Sequence, residues 1–378
     1  MLRQSHPLHF CMSGIMTQQV NCQMNKQNKI VVGISIGDLN GIVSEIVLKT
    51  LQDPRILDFF TPVIFASLEI MKFFKKHYHI DCNLFGIDKL EAIQEKKINV
   101  FNTWNEPVTI NFGTESPKIG SYAIKALNAS VAALKNNKID VLVTAPINKS
   151  NIQSEDFNFP GHTDFLNKEL EGESLMLMIK DSLRVGLLTD HVAVKDVSKK
   201  ITKELIEKKI KTIKDSLTKD FGIRKPKIAV LGINPHNGDH GVIGSEDDTV
   251  LRPVLKNLFD EGILVYGPYA ADSFFGSGNY ENFDAIIASY HDQGLVPFKT
   301  LSFGKGVNYT AGLNKVRTSP DHGTAFDIAG KNIADNASFK AAVFNAIDIF
   351  KKREEHEILS NNPLKTPTHK KPFYKKKQ

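Results

Sequence analysis

Short apolar runs rich in β-branched residues alternate along this chain with stretches of helical spacing, and that alternation restricts the fold more than any other feature. Strand-like runs occupy 29–36, 63–66, 139–145, 185–189, 228–232 and 284–290. Helical spacing occupies 67–78, 121–137, 197–217, 249–259 and about 338–352. Strands separated by helices in this way imply an α/β architecture with largely parallel sheets. The chain has 378 residues, more than the usual single domain, so two domains are expected.

In such a fold the carboxyl ends of parallel strands converge on one crevice where ligands bind. Three of the runs end in a histidine-bearing polar turn: Leu-Leu-Thr-Asp-His191, Gly-Ile-Asn-Pro-His236 and Ala-Ser-Tyr-His291. Taken singly, each is an ordinary hydrogen-bonded loop histidine. Taken together, with Asp190, Asp239 and Asp292 beside them to orient the rings, they are what an open divalent-metal site requires. Imidazoles suit zinc or cobalt and leave the metal otherwise open, with magnesium among the candidates.

Composition excludes several classes. With 41% hydrophobic and 24% charged residues the chain is an ordinary globular protein, and no apolar run approaches the ~20 residues that span a bilayer. The net charge of +6 is concentrated at the end, where Lys365, Lys370, Lys371, Lys375, Lys376 and Lys377 occur without an acidic residue. Without the stretch 365–378, which ends a basic tail taken as 353–378, the body is near neutral, so neither nucleic acid nor membrane is expected as a partner. Cys11, Cys22 and Cys82 form no disulfide framework or metal motif, which fits a reducing cytoplasm. Residues 1–28 are polar, lack an apolar leader core and read as a disordered extension.

Two further segments suggest anion binding. In Phe159-Pro-Gly-His-Thr-Asp, Gly161 permits a tight turn into a helix whose free backbone N–H groups favour an anion, placing His162 and Thr163 against a phosphate or carboxylate. The stretch 294–323 combines several glycines with Lys299, Asn308 and Arg317 and reads as a long ligand-binding loop. Near the N-terminus, Gly33, Gly37 and Gly41 bracket Asp38 without forming GxGxxG or a P-loop. These glycines therefore carry neither a dinucleotide nor a phosphate-loop fingerprint.

Together the strings Thr144-Ala-Pro-Ile-Asn-Lys149, Pro160-Gly-His-Thr-Asp, Asn234-Pro-His-Asn-Gly, Tyr290-His-Asp-Gln-Gly-Leu and Arg317-Thr-Ser-Pro-Asp-His-Gly-Thr resemble the 4-hydroxythreonine-4-phosphate dehydrogenase family of pyridoxal phosphate biosynthesis. The resemblance covers about residues 29–352. It implies a two-domain fold like that of isocitrate and isopropylmalate dehydrogenases, with the active-site cleft between domains and NAD bound without GxGxxG. The domains would be 29–145 with 303–352, and 146–302. The resemblance further implies a metal on His191, His236 and His291, substrate contacts from His162, Thr163, Lys299, Asn308 and Arg317, and a homodimer whose partner chain completes each site.

The implied reaction is NAD- and metal-dependent oxidation of 4-phosphohydroxy-L-threonine to 2-amino-3-oxo-4-phosphobutanoate, which loses carbon dioxide to give 3-amino-2-oxopropyl phosphate. A similar dehydrogenase acting on 4-phosphothreonate or 4-phosphoerythronate is the alternative. Acyl transfer to phosphate on a related architecture needs no metal, so the three histidines count against it. Retention of every site residue counts against a non-catalytic scaffold. The general base is not identified by the sequence. The chain departs from the family's Gly-Asp-Pro-x-Gly-Ile-Gly-Pro-Glu opening, having Gly37-Asp-Leu-Asn-Gly-Ile-Val-Ser-Glu45 instead, a change that bears on loop geometry and substrate preference.

Overall fold

The computed structural model describes residues 29–154, 157–159 and 161–361, so the extension 1–28 and the lysine-rich stretch 365–378 lie outside the described residues. Among those residues, twelve strands form one mixed sheet. They are β1 (Val31–Ser35), β2 (Thr61–Ala66), β3 (Leu84–Ile87), β4 (Ile98–Asn102), β5 (Val141–Thr144), β6 (Gly172–Lys180), β7 (Leu183–Leu187), β8 (Ile228–Leu231), β9 (Val265–Tyr269), β10 (Ala285–Ala288), β11 (Val307–Leu313) and β12 (Val316–Pro320). Their order across the sheet is β3-β4-β2-β1-β5-β12-β11-β6-β7-β10-β8-β9.

Two parallel blocks meet through an antiparallel seam. β11 runs antiparallel to both β12 and β6, and β6 antiparallel to β7. Parallel neighbours need crossover helices, whereas antiparallel neighbours need only a tight turn. That rule explains the two-residue connections within 180–183 and 313–316. Val32, Ile34, Ile64, Val143 and Ile287 are fully enclosed because helices cover both sheet faces. Burying each such side chain contributes roughly 1.5–3 kcal/mol.

Several boundaries differ from the sequence expectation. The stretch 294–323 is not a loop: it holds most of the helix His291–Ser302, then β11 and β12. Gly294 is required there because a Cβ would lie 2.9–3.0 Å from Ala288, Leu187 and Val185, so its absence lets the helix press onto β7 and β10. The helix expected over 197–217 is broken into Val197–Lys200 and Lys203–Lys219, the second capped by the Thr202 hydroxyl on the Leu205 N–H. The last helix runs Ala337–Asn361, well past Lys352. Arg353 in its extended part donates to Asp220 (2.6 Å) and to the Tyr309 hydroxyl (2.8 Å), tying it to β11.

The altered segment 37–45 is buried throughout. A Cβ on Gly37 would meet the Pro146 carbonyl at 1.9 Å, and Asp38 N–H donates to that carbonyl at 2.9 Å. The Asp38 carboxylate accepts from the Asn40 N–H (3.0 Å) and the Asn151 amide (2.8 Å). Asn40 in turn donates to the Thr114 carbonyl (2.9 Å) and accepts from the Asn111 N–H (3.0 Å). Hydrogen bonds to neighbouring loops therefore brace this turn.

Candidate active site

A cavity of about 300 Å³ opens at the seam, reached by the carboxyl ends of β5, β7 and β10 and walled by β6, β11 and β12. Seven of the eight expected site residues line it: His162, Thr163, His191, His291, Lys299, Asn308 and Arg317. His236 does not. None of residues 37–45 lines it either, so the departure from the family pattern acts through core packing and not through a wall of this cavity.

The histidine segments follow three adjacent parallel strands, in the order β7, β10, β8. Cross-strand bonds hold the first two together: Leu188 N–H donates to the Ala288 carbonyl (2.8 Å) and the Thr189 hydroxyl to the Ser289 carbonyl (2.7 Å). Gln293 adds the third strand by accepting from the Ser289 N–H (2.7 Å) and donating to the Gly232 carbonyl (2.7 Å). The His191 and His291 rings then lie 6.0 Å apart between centroids, and His291 Nδ1 contacts Asp292 Oδ1 at 2.6 Å.

His236 is carried away by an uncommon backbone. Residues His236 to His240 all have positive φ, from 42° to 80°, and only Gly238 among them lacks a Cβ. A left-handed conformation costs roughly 1–2 kcal/mol per non-glycine residue. It is sustained by Asp247, whose carboxylate accepts from the Ile233 and Asn234 N–H groups (2.8 and 2.9 Å), and by Asn237, which donates to the Pro268 carbonyl (3.1 Å). The turn leaves His236 exposed. Among the described residues no group of three or more His, Cys, Asp or Glu within one chain is arranged to hold a metal ion.

The other end of the cavity is cationic. Arg317 on β12 is only 2% exposed. Its Nε and Nη2 both donate to the Thr144 hydroxyl on β5 (3.0 and 2.5 Å), and Nη1 donates to the Thr310 hydroxyl on β11 (3.1 Å). Burial alone pushes its pKa down to about 9; no carboxylate offsets the effect. A buried guanidinium held only by hydroxyls is a receptor for an oxyanion. His162 sits at the start of the helix His162–Glu169, and its pKa is held well below the usual 6.5, by burial first and then by Arg317 and Lys149. Its imidazole is neutral at neutral pH. Lys299 lies two turns after His291 on one helix face, with Leu295 between them, and all three line the cavity.

Sequence reasoning assigned no role to Lys149, Thr144 or His322, and gave Asp190 only that of orienting a metal-binding ring. Lys149 and Thr144 belong to the Thr144-to-Lys149 string, and His322 to the string beginning at Arg317, so their positions were marked without their contacts. Lys149, Asp190 and His322 line the cavity, while Thr144 holds Arg317 from behind. Asp190 Oδ1, Asn308 Oδ1 and His322 Nε2 are buried polar atoms with no hydrogen-bond partner among the described residues.

The profile of the family described as pyridoxal phosphate biosynthetic protein PdxA matches residues 58–346. A 4-hydroxythreonine-4-phosphate dehydrogenase from Bacteroides thetaiotaomicron is 44% identical over 354 residues, covering 93% of this chain and 96% of that protein. A relative of the same name from Sulfurihydrogenibium sp. is 40% identical over 84% of this chain and 98% of its own length. Among solved structures, the 4-hydroxythreonine-4-phosphate dehydrogenase of Burkholderia phymatum superposes with a TM-score of 0.70 at 32% identity, covering 85% of this chain and 98% of that one. That of Klebsiella pneumoniae gives 0.74 at 29% identity, with 86% and 99% coverage.

Proposed function

The chain belongs to the PdxA family of pyridoxal phosphate biosynthetic proteins, a family of dehydrogenases, and on that premise we propose that it oxidises 4-phosphohydroxy-L-threonine with NAD and a divalent metal ion. The product, 2-amino-3-oxo-4-phosphobutanoate, is a β-keto acid and decarboxylates to 3-amino-2-oxopropyl phosphate. The observation that carries this reading is one cavity with an uncompensated guanidinium, Arg317, at one end and paired imidazoles, His191 and His291, at the other.

The donors suit zinc or cobalt through imidazole, or magnesium with carboxylate help from Asp190. When bound, the metal supplies Lewis-acid polarisation of the substrate hydroxyl, and NAD supplies a hydride acceptor. The chain's own residues hold and orient the substrate. Arg317 and Lys299 clamp oxyanions, Thr163 and the neutral His162 offer hydrogen bonds at a helix start, and Asn308 presents an open acceptor.

The metal set is completed in this reading by His236 of a second copy in a homodimer. Two features support this: one chain brings only two of the three expected metal histidines, His191 and His291, to the cavity, and Val194, Val242 and Val296, near the three histidine segments, are exposed apolar residues suited to a covered face. In this reading the chain divides at 145/146 and 302/303, with the cavity lying between the two parallel blocks. A cytoplasmic location and the absence of nucleic-acid or membrane partners accompany the reading; among the described residues no helix is long and apolar enough to cross a membrane.

A provisionally named D-threonate 4-phosphate dehydrogenase from Oceanobacillus iheyensis, 34% identical over 85% of this chain, favours the second reading, oxidation of 4-phosphothreonate or 4-phosphoerythronate. A substrate panel followed by NADH absorbance separates the two. Turnover of 4-phosphohydroxy-L-threonine at the highest kcat/KM supports the first; preference for either hydroxy acid replaces it with the second.

A further inference from the structure

The segment 37–45 lines no part of the cavity, yet it grips a turn that does. Ala145, Pro146, Ile147 and Lys149, which follow β5, all face the cavity. Gly37 lies against the Pro146 carbonyl, which accepts from the Asp38 N–H at 2.9 Å. Further along the turn, the Asn151 side-chain amide donates to Asp38 Oδ2 at 2.8 Å, and Asp38 and Asn151 are only 1% and 4% exposed. The helix Pro117–Lys135 presses on the same asparagine: a Cβ on Gly120 would meet the Asn151 carbonyl at 1.9 Å. Between these anchors, Asn148 Oδ1 accepts from the Ser150 and Asn151 N–H groups (2.9 and 3.1 Å), and its amide donates to Glu115 (3.0 Å). The backbone on both sides of Lys149 is therefore fixed, while the lysine itself is exposed and lines the cavity.

Lys149 lies at the cationic end. A Cβ on Gly161 would lie 3.8 Å from Lys149 Cε, so the lysine stem passes over the turn that begins the helix His162–Glu169. After burial, the charges of Arg317 and Lys149 both act to lower the His162 pKa, which places the two cations around one ring. A phosphate monoester carries about −1.5 to −2 charges at neutral pH, more than one guanidinium offsets. Arg317 supplies a planar fork and Lys149 a point charge on a flexible stem. Ordering such a stem on a ligand costs least when its backbone is already fixed.

We propose that Asp38 is a positioning residue of this site: through Asn151 it fixes the turn 146–151 and so places Lys149 beside Arg317 on the substrate's phosphate. The altered segment thereby bears on substrate recognition without touching the substrate. The inference rests on the proposed function, since it presumes a phosphorylated substrate in the cavity.

The test measures the Kd of inorganic phosphate by calorimetry on the full chain, and KM for 4-phosphohydroxy-L-threonine. It compares wild type with Lys149→Met, Asn151→Ala and the double variant, and Asp38→Asn with Asp38→Ala. Lys149→Met should weaken phosphate about tenfold, as loss of a charged hydrogen bond would. Asn151→Ala should weaken it about threefold to fivefold, and the double variant no further than Lys149→Met, because Asn151 acts through the lysine. Asp38→Ala should match Asn151→Ala, while Asp38→Asn, whose amide can still pair with Asn151, should recover part of the loss. KM should rise in the same order as Kd. An unchanged Kd in Lys149→Met or Asp38→Ala, multiplied losses in the double variant, or a loss confined to kcat in Asn151→Ala overturns the inference. Asn151→Ser serves the same cycle should Asn151→Ala not fold. The expected Kd pattern without turnover of 4-phosphohydroxy-L-threonine leaves the inference standing and refutes the dehydrogenase reading.

Discussion

Thr144 on β5 receives two hydrogen bonds from the Arg317 guanidinium on β12, at 3.0 and 2.5 Å, and so fixes the plane of a fully buried cation in the cavity. Arg317→Lys keeps a charge but loses the planar fork, and kcat/KM should fall about 100-fold. Thr144→Val leaves the charge but frees the fork, and should cost about tenfold. The same pair predicts that inorganic phosphate raises the wild-type Tm and leaves Arg317→Ala unmoved. Equal Tm shifts in both proteins would remove Arg317 from anion binding.

A histidine held neutral by its surroundings makes folding sensitive to acid. The His162 pKa lies well below 6.5 in the folded chain, so as pH falls through about 6.5 the unfolded chain takes up a proton that the folded chain refuses. Stability contributed by neutral His162 is therefore complete above that range and declines below it. Denaturant titrations at about pH 7.5 and about pH 5.5 should show a smaller loss of stability for His162→Gln than for wild type. Identical losses would place His162 in a solvated, unperturbed setting.

The Asp220 carboxylate, almost wholly buried, is held by Arg353, the Tyr309 hydroxyl and the Ser216 hydroxyl together. Removing the cation leaves a buried charge uncompensated, so Arg353→Ala should lose about 3 kcal/mol in urea unfolding, the lower end of the range because Arg353 is partly solvated. A change below about 0.5 kcal/mol, the level of an ordinary surface substitution, would show that the helix extension to Asn361 contributes little.

If His236 serves the cavity of a second copy, inactive variants should complement. His291→Ala and His236→Ala are each expected to be inactive alone. After subunit exchange, a mixed dimer carries one intact site of two, and random pairing restores about a quarter of wild-type activity. No recovery in a mixture shown to exchange subunits would return His236 to its own chain or remove it from the site.

Some of this arrangement was legible in the sequence. The strands ending at His191, His236 and His291 are short, continuous apolar runs because helices cover both their faces, and their adjacency followed from α/β topology. The seam was not legible. β11 and β12 bury Thr310, Arg317 and Thr318, polar residues that break the apolar signal, and the helix before them contains Gly294 and Pro297, which read as loop. The backbone of His236 to His240 escaped for a different reason: its left-handed turn is fixed by distant partners, Asp247 and Pro268, not by local propensity. The open carboxylate of Asp190 was equally invisible, since only the fold shows which oxygen lacks a donor.

The dehydrogenase reading is tested most directly by following NADH absorbance with 4-phosphohydroxy-L-threonine and NAD, before and after a chelator. The expected result is NADH formation that the chelator abolishes and added zinc, cobalt or magnesium restores. No NADH from this substrate at any metal concentration, or NADH formation indifferent to the chelator, would contradict a site built on His191, His236 and His291.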